Sequence, residues 1–317
     1  MRTVLAVVCG LGSLCVISLA AAEEPPPVAV RAELDISYAQ TDNPRQRLDL
    51  YLPDPIGEGR KLPVILFVHG GGWRGGDRKH GEVLKPFVQS GEYAVASVGY
   101  RLTDEAIWPA QIHDCKAAVR WLRAHAADYH LDPDRIGAVG LSAGGHLVAL
   151  LGTTGDTEQL DGDLGEDREQ SSRVACVINQ AGPGNLANVP EDNEPAHAVL
   201  AWLFGGPVKE KLEEAKNASP VTHASKGDAP CLCVHGSADP LVPYSQSVEL
   251  VEALRAAGAE VVLLTVNGGG HGWPKTPLVD QRVREFLDKH LLGRDRPLAD
   301  ESVEIGAAAA PISSARQ

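Results

Sequence analysis

The pentapeptide Gly140-Leu-Ser142-Ala-Gly144 joins two stretches that demand different backbones. Before it, Arg135 to Leu141 reads as a short strand. After it, Ala143 to Leu151 is a run of small and aliphatic residues that reads as a helix. A serine at so sharp a strand-to-helix turn is held in a strained conformation and crowds its neighbours, so small residues flank it. Its hydroxyl then projects above the end of a sheet. The competing reading, Ser142 as a plain cap for the helix beginning at Ala143, explains the serine but not the flanking glycines.

A second glycine cluster lies about seventy residues earlier. His69-Gly70-Gly71-Gly72-Trp73 directly follows Leu62 to Val68, a continuous apolar run that suits a strand buried on both faces. Consecutive glycines let the backbone approach a bound carbonyl and aim N–H groups at a developing oxyanion. The expected donors are the N–H groups of Gly71, Gly72 and Ala143, with His69 ordering the loop rather than acting as a base.

The remaining chain alternates strands and helices. Strands are expected at Leu48–Leu52, Tyr93–Val98, Val174–Ala181, Cys231–His235 and Glu260–Val266. Helices are expected over Ala110–Ala127, Ala196–Phe204, Tyr244–Ala257 and Leu278–Leu291. Such alternation implies a mostly parallel sheet covered on both faces, read as one domain over residues 32–292. Residues 183–225 are irregular and rich in Asn, Glu, Pro and Gly. They are expected to cover the pocket as a short cap too polar to build a long apolar groove. A small acyl pocket would then lie near Trp73 and Tyr100.

If Ser142 is a nucleophile in such a sheet, the chain order of an α/β hydrolase places its acid and base after it, acid first. Asp239, in His235-Gly-Ser-Ala-Asp239-Pro240, and His271, in Gly268-Gly-Gly-His271-Gly-Trp273, each follow their own predicted strand. Strand C-termini are where open parallel sheets bind ligands. Asp239 would hold the tautomer of His271, which would take the Ser142 proton. Rival bases are His223 and His290; rival acids are Asp228 and Glu249.

Composition narrows the field further. A formal charge of −13 over 317 residues argues against nucleic acid as a partner, because that binding runs on Lys and Arg neutralising phosphates. Arg2, the apolar stretch Val4–Ala20 and Ala20-Ala21-Ala22 before Glu23 read as a signal peptide over residues 1–22. Export to the periplasm or medium is therefore expected, with no stable membrane span after cleavage. Residues 23–31 read as a Pro-rich lead-in, and residues 293–317 as a disordered tail. Cys115, Cys176, Cys231 and Cys233 remain, and buried free thiols are the favoured reading. No spacing suggests a metal, and no cofactor is implied.

Together these pieces resemble the α/β-hydrolase superfamily. Within it they are similar to hormone-sensitive-lipase-like esterases, and most closely to the branch containing bacterial acetylxylan and feruloyl esterases. The resemblance rests on HGGGW (69–73), Tyr100-Arg101-Leu102, Trp108-Pro109-Ala110, Asp132-Pro-Asp134-Arg-Ile136, GLSAGGH (140–146), HGSADPLVP (235–243) and GGGHGW (268–273). It implies an α/β-hydrolase fold and a serine carboxylesterase acting on short-acyl esters, on small molecules or polysaccharides. Trp73, Tyr100 and Trp273, beside the catalytic loops, are candidates for lining an acyl or sugar site. Asp114 is expected to be structural, pairing Arg101. An amidase or formamidase with the same three residues stays open, as does, less readily, a peptidase. A catalytically dead binding module would be expected to have lost one of the three.

Overall fold

The computed structural model describes residues 26–308. Its strands are β1 (Ala29–Ser37), β2 (Arg47–Asp54), β3 (Leu62–Val68), β4 (Ala94–Val98), β5 (Leu131–Leu141), β6 (Cys176–Gln180), β7 (Cys231–Gly236), β8 (Val261–Asn267) and β9 (Glu301–Glu304). The helices are α1 (Lys85–Gln89), α2 (Ala110–Ala124), α3 (Ala143–Thr153), α4 (Glu194–Phe204), α5 (Leu212–Asn217), α6 (Pro220–His223), α7 (Ser245–Ala257) and α8 (Pro277–Leu292). The strands form one sheet in the order β1-β2-β4-β3-β5-β6-β7-β8-β9. β2 runs antiparallel to β1 and β4. The other pairings are parallel.

The two faces of β3 explain its unbroken apolar run. Leu62, Val64, Leu66 and Val68 point into a cluster shared with α2 and α3. Ile65 and Phe67 point into a second cluster with α8 residues such as Phe286 and Leu287. Burying each such side chain contributes roughly 1.5–3 kcal/mol, so the central strands are held from both sides. Their ends, where the chemistry-bearing loops emerge, inherit that rigidity. On β7, Cys231 and Cys233 share one face with their sulfurs 3.7 Å apart, and all four described cysteines are buried and free.

Two boundary readings are corrected. The lead-in ends earlier than residue 31, because β1 starts at Ala29 as an exposed edge strand. The chain past Gly293 is not a disordered tail throughout: β9 closes the sheet beside β8, with Val303 buried against Val266. Arg282 bonds Glu301 at 2.6 Å, and Arg255 bonds Asp300 at 2.5 Å. The signal segment expected over residues 1–22 and the last residues of the tail lie outside the described part.

The cap does form in the expected place. It is tied down by Gln246 on α7, whose Oε1 accepts from Gly184 N and Asn185 N at 3.1 and 2.8 Å. Trp108 reaches it from beneath, donating from Nε1 to Asn217 Oδ1 at 3.1 Å. Asp114 takes Arg101, with Arg101 Nη2 2.7 Å from Oδ1.

Candidate active site

β5 ends at Leu141 and α3 begins at Ala143, so Ser142 makes the whole turn alone. It has φ 56° and ψ −122°, in the left-handed half of backbone space. Such a conformation costs a non-glycine residue about 1–3 kcal/mol. Its backbone is clamped: the N–H donates to Gln180 O at 2.8 Å, and the carbonyl accepts from His146 N at 3.0 Å. The flanking glycines are obligatory for space. A Cβ on Gly140 would collide with the Gly144 carbonyl, and one on Gly144 with that of Val68.

Ser142 Oγ lies 2.8 Å from His271 Nε2, and His271 Nδ1 lies 2.8 Å from Asp239 Oδ2. Three residues separated by up to 129 positions thus form one hydrogen-bonded chain. The loops carrying Asp239 and His271 are laced together. Ala238 N donates to Gly269 O at 2.9 Å, and Gly268 N to Ser237 Oγ at 2.9 Å. The Asp239 side chain is fully buried. Its Oδ1 accepts from Leu241 N and Val242 N at 2.8 and 3.0 Å. His235, missed in the sequence, stands behind it with Nε2 3.3 Å from Oδ2 and 3.0 Å from Val242 O. Its Nδ1 meets Ser247 Oγ at 2.7 Å. Burial pushes the His235 pKa below its ordinary value, which fits a neutral ring that donates from Nε2 and accepts at Nδ1.

The rival bases and acids are engaged elsewhere. His223 Nε2 bonds Asn217 O, and His290 packs on Phe286. Asp228 holds Ser225, and Glu249 bonds Asn185 and Asn188 in the cap.

Gly71, Gly72 and Ala143 line the cavity that Ser142 and His271 open into. Their N–H groups donate no hydrogen bond among the described residues. Gly71, Gly72 and Trp73 have φ of 115°, 60° and 56°, so the loop reverses within three residues. His69 braces it, its Nδ1 2.8 Å from Gly70 O and its ring stacked on Tyr100 at 4.3 Å. Burial lowers the His69 pKa to about 4. A ring so hard to protonate serves as scaffold.

Of the three aromatic candidates, only Trp73 lines the cavity. Tyr100 is fully buried behind the loop, where its hydroxyl donates to His69 O at 2.9 Å. Trp273 packs against the core cluster on the opposite face of the sheet. Adjacency in sequence to a reactive loop does not fix the direction of a side chain. The cavity, of about 690 Å³, also corrects the expected polarity of the cap: Leu186, Val189, Pro190, Val199 and Leu200 give it an apolar wall. The charged residues in 183–225 face outward while these apolar ones face the cavity, a sorting that average composition conceals. Among the described residues, no group of three His, Cys, Asp or Glu side chains is placed to hold a metal.

A mostly parallel sheet with a strained serine elbow at a strand end defines an α/β hydrolase. Residues 48–254 match the BD-FAE family, and the chain belongs to it. It is 30% identical over 234 residues to esterase LipC of Mycobacterium tuberculosis (strain ATCC 25618 / H37Rv), covering 73% of this chain but only 58% of that protein. A solved structure described as a truncated form of carbohydrate esterase from gut microbiota is 31% identical, with TM-score 0.67. That alignment covers 78% of this chain and 92% of that one. The propionate-bound esterase Est2 of Thermogutta terrifontis is 27% identical with TM-score 0.65, covering 84% of this chain and 94% of its own.

Proposed function

We propose that the chain is a serine carboxylesterase in which Ser142 is the nucleophile, His271 the general base and then acid, and Asp239 the residue that orients it. The observation that carries this reading is the chain of two 2.8 Å contacts from Ser142 through His271 to Asp239, beside N–H groups with no partner among the described residues. In the first step Ser142 Oγ attacks the ester carbonyl carbon while His271 Nε2 takes its proton. The carbonyl oxygen becomes an oxyanion facing the N–H groups of Gly71, Gly72 and Ala143. Collapse breaks the bond to the alcohol oxygen, which takes the proton from His271. Water, activated by the same ring, then attacks the acyl-enzyme, releasing the acid and restoring Ser142.

The substrate we propose is an ester of a short to medium acyl group, with a carbohydrate as one candidate for the alcohol. The apolar wall supports the acyl half, and the likeness to a carbohydrate esterase supports the alcohol half. A fluorophosphonate probe tests the site itself. Stoichiometric loss of activity with the adduct on the peptide containing Ser142 is expected; an adduct elsewhere would refute the assignment.

A further inference from the structure

The cavity has an unusual charge pattern for so acidic a chain. Among the described residues no Asp or Glu lines it, whereas Arg74, His80 and His271 do. Arg74 is the residue immediately after the Gly71–Trp73 turn. Its guanidinium carbon lies 4.3 Å from the centre of the Trp202 ring. Trp202 is on α4, 52% exposed.

Several other arginines are occupied by protein acceptors, although Arg284 also rests on an aromatic face, that of Phe87, away from this cavity. Arg78 holds Asp49, Arg101 holds Asp114, and Arg120 bonds the carbonyls of Asp161 and Leu164. Among the described residues the Arg74 side chain makes no ion pair and donates no hydrogen bond. Its contact with the indole face is a cation–π interaction. That contact restrains the guanidinium while leaving the N–H edge, with its five donors, unused. An unpaired fork of donors on an exposed arginine at the wall of a mostly apolar cavity matches the planar, bidentate geometry of a carboxylate.

We propose that Arg74 is a specificity-determining residue that takes a carboxylate carried by the ester substrate, with Trp202 holding the guanidinium in place. The inference rests on the esterase reading above and narrows its substrate to anionic esters. The carboxylate can sit on the acyl or on the alcohol half, and two substrate pairs separate these. Mono-p-nitrophenyl glutarate is compared with its neutral methyl ester, and 3-acetoxybenzoate with 3-acetoxybenzamide.

In at least one pair, kcat/KM is expected to favour the carboxylate, the preference residing in KM. Arg74→Gln should lower that ratio at least tenfold and Arg74→Lys should restore part of it. In the unmodified protein the ratio should also shrink between 0.05 and 0.5 M salt, a readout independent of any variant. Hydrolysis of the neutral esters with both ratios unmoved by Arg74→Gln and by salt overturns this inference alone. Failure to hydrolyse any of the four overturns the esterase reading and this inference with it.

Discussion

At Asp239 three donors converge on two oxygens of a buried carboxylate, two backbone N–H groups and His271, with His235 Nε2 standing 3.3 Å from Oδ2. Asparagine would keep the shape but present an amide N–H₂ toward His271 Nδ1 or toward the backbone donors, favouring the wrong imidazole tautomer. Asp239→Asn is therefore expected to lose about 10⁴-fold in turnover. Retained activity in that variant, with Glu249→Gln inactive, would show that the acid lies elsewhere. Two further histidines give the fold a pH dependence. His69 and the fully buried His146 are both pushed down to about 4 by burial. Unfolded, each takes up a proton near its ordinary 6.5; folded, neither does so until about pH 4. Their contribution is thus fully present above pH 6.5 and is lost as pH falls toward 4, on the order of 3 kcal/mol each. Urea midpoints should drop between pH 7 and pH 5; a flat profile would contradict the buried neutral rings. At this scale the sequence was legible where chemistry dictates spacing. Ser142, Asp239 and His271 stand out by motif and strand end. Arg74 and His235 did not, because an arginine beside a glycine loop looks like any surface charge, and His235 sits within an apolar strand.

Among the elements, β9 was the least legible. Glu301-Ser-Val303-Glu304 has one apolar residue in four, too little to show period-two alternation. The strand is held by its ladder to β8, by burial of Val303 and by the ion pairs of Asp300 and Glu301. Removing residues 294–308 uncovers the β8 edge and exposes Val303's partners. A loss of at least about 2 kcal/mol is expected from the apolar burial alone. Calorimetry comparing the shortened and full chains checks this; equal stability would mean that β9 merely rests on the sheet. The central elements were legible because β3 and residues 136–140 of β5 are buried on both faces and carry unbroken apolar runs. The cap was legible only as a location, since its apolar side chains are scattered among polar ones and meet only when folded.

Across the whole molecule, rigid strand ends, two laced loops and an apolar cap enclose one reaction centre. The cavity wall offers room beyond an acetyl group. Each buried CH₂ adds about 0.8 kcal/mol, so kcat/KM for p-nitrophenyl butyrate should exceed that for the acetate by roughly tenfold. A preference for acetate would mean that the apolar wall does not meet the acyl chain. The central claim, that Ser142 is the nucleophile of a hydrolase, is tested most directly by the steady-state rate of ester hydrolysis by purified, folded Ser142→Ala. Removing the nucleophile from such a unit costs on the order of 10⁶ in turnover, so the expected result is activity indistinguishable from background; retention of more than about a hundredth of the original rate would contradict it.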